Sequence, residues 1–188
     1  MGRGPWTFDP VLVGNRETDA WVAYYRRDWI RFLVASVGLV AAGFGMGPLR
    51  TLQGAWYVLR ANQAWSPYPD NQPDVARAYM RRFYTLIGIP PDAAEAARRE
   101  VEWWRVHREH QHDPTVSEGQ LIDALVSLYS YVYAVDKVDI RPAALHRVEA
   151  MTLSDQWVAG GCRADDPTLI KERQALVASY SALHQAVA

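Results

Sequence analysis

Apolar residues recur along the chain at spacings of three and four, and no stretch longer than a few residues alternates apolar with polar positions. This spacing places apolar side chains on one face of an α-helix, whereas strict alternation is typical of a half-buried strand. The sequence contains no internal repeat and no segment with the composition of an interdomain linker. It therefore predicts an all-α protein, a single bundle of about seven helices in one domain over residues 1–188.

Glycine, proline and capping residues divide this pattern into separate helices. Three prolines between positions 66 and 73 deny the backbone helical hydrogen-bond donors, so this segment is predicted to be a loop. Asp92 with Glu95, and Ser117 with Gln120, have the spacing of a capping box at a helix start. The predicted helices cover residues 17–42, 48–65, 74–88, 93–112, 117–135, 142–160 and 167 to the C-terminus.

One uncharged stretch, residues 32–49, has the composition that a membrane segment would need. It is interrupted by four glycines and by Pro48, whereas a spanning helix needs about 20 predominantly apolar residues. We therefore predict a buried helix that runs into a glycine-rich turn, and no membrane partner.

Composition narrows the function classes further. With 49% apolar residues and a formal net charge of -1, the chain is unlike a disordered protein. Because 20 Lys+Arg are balanced by 21 Asp+Glu, it lacks the basic excess that nucleic-acid binding needs. Cys162 is the single cysteine, which excludes an intramolecular disulfide and favours a cytoplasmic location. Eight Trp and ten Tyr provide the side chains that build pockets and interfaces.

Five polar residues fall on helix faces that are otherwise apolar when each helix is drawn at 100° per residue. They are Gln63, Arg82, Glu100, His107 and His146. A buried charge or imidazole without a partner is costly, so we expect the last four to be largely buried, with at least two within direct or water-bridged hydrogen-bonding distance. Two interpretations stay open here: a structural network such as an Arg82–Glu100 ion pair, and a ligand or cofactor site.

The densest chemical cluster is residues 107–113, which contain three histidines and two carboxylates. On a helix, His107 and His110 share a face, so both could approach one metal ion. Glu109 and His112 have the Glu-x-x-His spacing of di-iron bundles, but that architecture needs the motif twice. His112 lies nearest the helix end and is expected to be solvated, whereas His107 is expected to be buried and to carry any chemistry.

Four segments of the chain resemble a family of helical proteins of actinobacterial type, a resemblance that extends along most of the chain and implies no activity. These segments are residues 56–63, 67–71, 80–84 and 100–112.

Residues 94–133 contain an Arg-rich helix with Val106-His107-Arg108 near its end, followed by an apolar helix. This arrangement is similar to the helical haem-dependent rubber oxygenases and MpaB-type oxygenases. The resemblance implies an oxidoreductase in which His107 holds haem or iron. Asp123 stands where the second helix of that family carries a histidine.

Three function classes fit these observations. The first is an oxygenase-like oxidoreductase acting on an apolar small molecule in an aromatic pocket, with His107 as the cofactor or metal ligand. Arg82, Glu100 and His146 would then be the catalytic candidates, as orienting or acid–base groups. The second is a non-catalytic protein that binds a hydrophobic metabolite or a partner helix without a cofactor. The third is a scaffold whose Trp and Tyr surplus lies at a homodimer interface.

Overall fold

A computed structural model describes residues 7–89 and 91–188, and these residues form eight α-helices and no strand. The predicted all-α class is confirmed, with eight helices instead of about seven. The helices are α1 (Pro10–Tyr25), α2 (Trp29–Phe44), α3 (Pro48–Trp65), α4 (Pro73–Ile87), α5 (Ala93–His112), α6 (Glu118–Tyr133), α7 (Lys137–Ala159) and α8 (Thr168–Val187).

Each helix packs against the next one along the chain, and α8 packs back against α1. The helices therefore form a closed ring, which we call the eight-helix ring. Their inward faces contribute to one main apolar cluster, in which Leu121 and Leu125 of α6 and Ile140 of α7 are among the most deeply buried residues. Burial of these faces is the main favourable contribution to folding.

The predicted first helix, residues 17–42, is two helices because the chain turns at residues 26–28. Arg27 has a left-handed φ of 56°, which the interior of an α-helix does not contain. Asp28 then caps α2, since its carboxylate accepts a hydrogen bond from the backbone N–H of Arg31 at 3.0 Å. Asp9 caps α1, so α1 begins at Pro10 and Glu17 lies in its interior rather than at its start.

Other boundaries follow the capping chemistry. The bounds of α3 and α5 agree with the predicted ranges, and Ser117 with Gln120 forms the predicted capping box of α6. Asp92 caps α5 by accepting from Ala94 N–H at 2.9 Å, but Glu95 binds two arginines instead of closing a box. Pro90, part of the predicted break before α5, lies outside the described residues.

The predicted start of α7 near Pro142 is wrong, because α7 begins at Lys137 and contains Pro142 in its interior. A proline inside a helix loses one backbone hydrogen bond. The earlier start places Ile140 on the buried face, and α7 reaches 23 residues.

Among the helices of the described residues, none combines the length and the apolar content that crossing a membrane requires. Helix α2 covers most of the uncharged stretch and ends in the predicted turn, where Gly45 has a left-handed φ of 56°. Only one face of α2 is buried, since Ile30 and Val34 are exposed. The predicted burial of this helix therefore holds for one face only, and apolar side chains are present on its exposed face as well.

Candidate ligand-binding cavity

The eight-helix ring surrounds a cavity of about 280 Å³. All eight helices contribute side chains to its wall, which is partly open to solvent and includes Gln111, an exposed residue of α5. The volume lies near the lower limit of pockets that hold small organic molecules, roughly 300 Å³. Aromatic rings dominate the wall, namely Phe8, Trp21, Tyr24, Tyr25, Phe32, Phe44, Trp65, Phe83, Tyr84, Trp103, Trp104, Tyr129, Tyr133 and Tyr180.

A buried ion pair lies in the cavity wall. Arg147 of α7 donates two hydrogen bonds to Glu17 of α1, from Nη1 to Oε2 at 2.8 Å and from Nη2 to Oε1 at 2.5 Å. Tyr180 of α8 donates a third hydrogen bond to Glu17 Oε2 at 2.7 Å. The guanidinium also lies over the rings of Trp21 and Trp103, at 5.3 and 5.7 Å from their centroids. Such bidentate geometry with an additional donor supplies the partners that a buried ion pair needs.

Glu100 of α5 provides a second carboxyl group in the wall. Its Oε2 accepts a hydrogen bond from the Tyr84 hydroxyl at 2.7 Å, and its Oε1 accepts one from Trp104 Nε1 at 3.2 Å. Burial raises the pKa of Glu100, and this effect exceeds the opposing effects of the Tyr84 hydrogen bond and the Arg147 charge. The neutral acid is therefore favoured more than it is for a glutamate in water.

His107 lies about two helical turns further along α5 and also lines the cavity. Its side chain is 13% exposed, and its Nε2 lies 3.2 Å from Asp155 Oδ2. Gln111 donates to the other oxygen of Asp155 at 2.6 Å, and the imidazole stacks on the Trp103 ring. A carboxylate partner of this kind fixes the orientation of an imidazole, as it does for histidines that transfer protons or bind metals.

Three buried polar atoms of the cavity wall make no hydrogen bond with another group of the described chain. They are Ser36 Oγ, Trp103 Nε1 and Arg147 Nε. Buried polar groups are nearly always hydrogen-bonded, because an unpaired one costs the free energy of its lost hydration. Two of the three atoms, the nitrogens of Trp103 and Arg147, are donors only.

Of the predicted site residues, Glu100 and His107 line the cavity, whereas Arg82 does not. The prediction that Arg82 is buried is wrong: this side chain is exposed, lies over the Tyr79 ring, and forms no ion pair with Glu100. The reason is that α4 is rotated about its axis relative to the predicted face. Its buried residues are Ala76, Met80, Phe83 and Tyr84.

The burial predicted for His146 is also wrong, since its side chain is 45% exposed and pairs with Glu149 on the surface of α7. The inward position belongs to the next residue, Arg147. On α3, Gln63 is half-buried, and its neighbour Asn62 lines the cavity. No hydrogen bond joins any two of the four residues that were expected to approach each other, Arg82, Glu100, His107 and His146.

The predicted metal pair of His107 and His110 is not assembled. His110 Nδ1 lies 2.7 Å from the backbone carbonyl of Val116, while His107 contacts Asp155. Within residues 7–89 and 91–188, no three His, Cys, Asp or Glu side chains come together in a way that could hold a metal ion. The described side chains therefore form no three-ligand metal site, and for haem or iron the cavity wall offers a single imidazole, that of His107.

Sequence reasoning missed the ion pair of Glu17 and Arg147. A signal for Arg147 exists in the sequence, because Ile140, Ala144 and Met151 are spaced around it at helical intervals. No comparable signal was found for Glu17, because it lay at the start of the predicted first helix, outside the run of apolar residues at helical spacing.

Comparisons of the chain with protein families, with curated proteins and with solved structures give no match.

Proposed function

We propose that this protein binds a small, mostly apolar organic molecule in the cavity of the eight-helix ring. The main support for this proposal is the cavity itself, which has a volume of about 280 Å³ and is lined largely by aromatic side chains. A few polar groups among many apolar ones are the usual composition of small-molecule sites.

An empty void of this size is costly for a domain of 188 residues. Protein interiors pack as densely as organic crystals, and voids larger than a water molecule are few. Cavities made by truncating core side chains cost about 24 cal/mol per Å³, which for about 280 Å³ sets an upper limit of several kcal/mol on the cost of leaving this partly open cavity unfilled. That limit is comparable to the whole stability of many domains, about 5–15 kcal/mol. A bound apolar molecule would restore the lost contacts.

The substitution Gly43→Leu tests the proposal by filling the cavity. Gly43 of α2 is buried in the cavity wall, and a Cβ added there would meet no atom within 4 Å. We expect toluene to raise the melting temperature of the wild-type protein and to leave that of Gly43→Leu unchanged, since leucine would occupy the same volume. Thermal denaturation with and without toluene, supported by titration calorimetry, measures the effect.

Gly119→Leu is the control for this experiment. Gly119 is exposed in the first turn of α6, and a Cβ there would meet nothing nearer than Ser117 Oγ at 3.6 Å. This variant also gains a side chain in a helix, but it leaves the cavity unchanged and should respond to toluene like the wild type. Equal toluene binding by the wild type and Gly43→Leu, or none by the wild type, would contradict the proposal.

A second candidate function is the oxygenase-like oxidoreductase, with His107 as the single ligand of haem or iron. It is favoured by one observation, that His107 lines the aromatic cavity with its ring oriented by Asp155. A carboxylate beside a ligating histidine is common at metal and haem sites. In this case the cavity would hold the substrate, and Glu100 would be the carboxyl group of the wall with a raised pKa.

Two histidine variants test this second function. Under it, freshly purified protein contains iron or shows a visible absorption band, His107→Ala loses the cofactor, and His112→Ala keeps it. His112 is exposed and stacks on Tyr68 at the surface, so it is the control. If His107→Ala changes no cofactor content and only lowers the free energy of unfolding, by about 1–3 kcal/mol, the role of His107 is structural. Metal analysis and absorption spectra of both variants decide between these results.

A further inference from the structure

We infer that the ligand of the cavity carries a neutral hydrogen-bond acceptor, such as the carbonyl oxygen of a ketone, an aldehyde or an ester, and that Trp103 and Arg147 bind this oxygen. The inference rests on the proposed binding function and specifies the class of molecule that the cavity takes.

Two unpaired donors belong to side chains that lie next to each other in the wall. The indole Nε1–H of Trp103 and the Nε–H of Arg147 are both buried, and neither has an acceptor. The two residues belong to α5 and α7, yet the guanidinium carbon of Arg147 lies 5.7 Å from the Trp103 ring centroid. Because neither nitrogen can act as an acceptor, the two groups cannot satisfy each other. An oxygen or nitrogen acceptor of a bound molecule would supply the missing partner.

The acceptors of the surrounding wall are already engaged. Both oxygens of Glu17 receive hydrogen bonds from the two terminal nitrogens of Arg147, and one of them also receives the Tyr180 hydroxyl. Both oxygens of Glu100 are bonded as well, and although Glu100 lies near Trp103, the indole N–H is not in hydrogen-bond geometry with it. The wall around Trp103 and Arg147 therefore contains unpaired donors and no spare carboxylate oxygen.

Charge determines the kind of acceptor. The Arg147 charge is balanced by Glu17 in a bidentate pair, so an anionic ligand would add a second negative charge to a buried site that is already neutral. The other cation of the wall, Arg108, lies over the rings of Trp65 and Tyr68. A neutral acceptor gains both hydrogen bonds without this cost.

Three probes of similar size test the inference on the wild-type protein: acetophenone has a neutral carbonyl, ethylbenzene has no acceptor, and benzoate is an anion. By titration calorimetry at neutral pH, we expect acetophenone to bind about tenfold more tightly than either of the others, as one buried hydrogen bond allows. We also expect acetophenone to shift the assigned indole N–H resonance of Trp103 downfield, with a smaller shift from ethylbenzene. This resonance is measured in the wild type, so it does not depend on any variant folding.

Trp103→Phe removes the indole donor and keeps an aromatic ring in the wall. In this variant the ratio of the acetophenone and ethylbenzene affinities should fall toward one. Trp56→Phe is the control, because Trp56 is 47% exposed and does not line the cavity, and it should keep the wild-type ratio. Circular dichroism establishes that both variants are folded before the ratios are compared.

The outcomes separate this inference from the proposed function. If acetophenone and ethylbenzene bind the wild type equally, or if benzoate binds best, the inference is overturned while the cavity remains a binding site. If no probe binds, the proposed function fails and the inference fails with it. A preference for acetophenone that persists in Trp103→Phe would also overturn the inference, since another group would then bind the carbonyl.

Discussion

The substitution Arg147→Met is expected to lower the free energy of unfolding by about 3–5 kcal/mol. It leaves the Glu17 carboxylate buried beside the cavity with only the Tyr180 hydroxyl as its partner. The penalty comes from this unpaired charge rather than from lost packing, because methionine retains much of the apolar volume of the arginine stem. Urea denaturation followed by circular dichroism measures the change.

The double variant Glu17→Leu with Arg147→Met separates these causes. Replacing a buried ion pair by apolar residues of similar volume is often neutral or stabilising, so the double variant should recover most of the loss. Arg141→Met on the same helix is the control, because the Arg141–Asp123 pair is exposed and should contribute less than about 1 kcal/mol. A double variant as unstable as Arg147→Met alone would contradict the ion-pair argument.

The second large effect is a pH dependence of stability that originates at Glu172. This residue of α8 is fully buried, and burial raises its pKa from 4.5 to about 7. A hydrogen bond with Ser154 and the charge of Arg173 lower the pKa, and the charge of Glu17 raises it, but burial has the largest effect. Between pH 4.5 and about 7, the folded state therefore holds a proton that the unfolded state has released.

The sign of the effect follows from this proton. The contribution of Glu172 to stability is fully present below pH 4.5 and is lost as pH rises to about 7. At about 1.4 kcal/mol per pKa unit, the loss amounts to roughly 3 kcal/mol over this interval. Glu172→Gln cannot ionise, so the difference in unfolding free energy between the wild type and this variant should change by that amount across the interval. Denaturant titrations at several pH values measure it.

Glu118→Gln is the control for the pH experiment, because Glu118 is exposed at the start of α6. This variant should keep the pH dependence of the wild type. A Glu172→Gln variant whose stability follows the wild-type curve at every pH would show that the carboxyl group ionises in the folded protein without cost, contrary to its buried position.

The helical class and several boundaries follow from local chemistry, which is why they could be predicted. Three- and four-residue spacing identifies the helices, and caps such as Ser117 place their starts. The turn between α1 and α2 was missed because it contains neither glycine nor proline. Arg27 takes the left-handed conformation there, an uncommon choice for a residue with a side chain, and Asp28 alone marks the start of α2.

The candidate site was predictable only where one helix face is clearly defined. On α5, Val101, Trp103 and Trp104 identify the inward side, and both polar residues assigned to it, Glu100 and His107, line the cavity. In a closed ring each helix contacts two neighbours as well as the interior. Its buried face is therefore wider than a single apolar stripe, and packing against the neighbours determines which residue lies at the centre of that face. This is why one turn of α7 presents Arg147 rather than the adjacent histidine.

The spacing of residues along the sequence could not identify the partner of Arg147. Glu17 is 130 positions away in the chain and meets Arg147 only because α8 closes the ring against α1. The same closure brings Tyr180 to the pair. Long-range pairing of this kind follows from tertiary packing, so it becomes visible only in the folded structure.

A crystal structure of the protein soaked in bromobenzene tests the central claim most directly. The anomalous signal of bromine locates the probe without reference to any variant or assay. We predict a bromine peak inside the eight-helix ring, in contact with the rings of Trp103 and Trp104 and within the volume that Gly43 borders. Bromine sites confined to the outer surface, with the aromatic side chains collapsed into the cavity, would contradict the claim that this protein binds a small apolar molecule there.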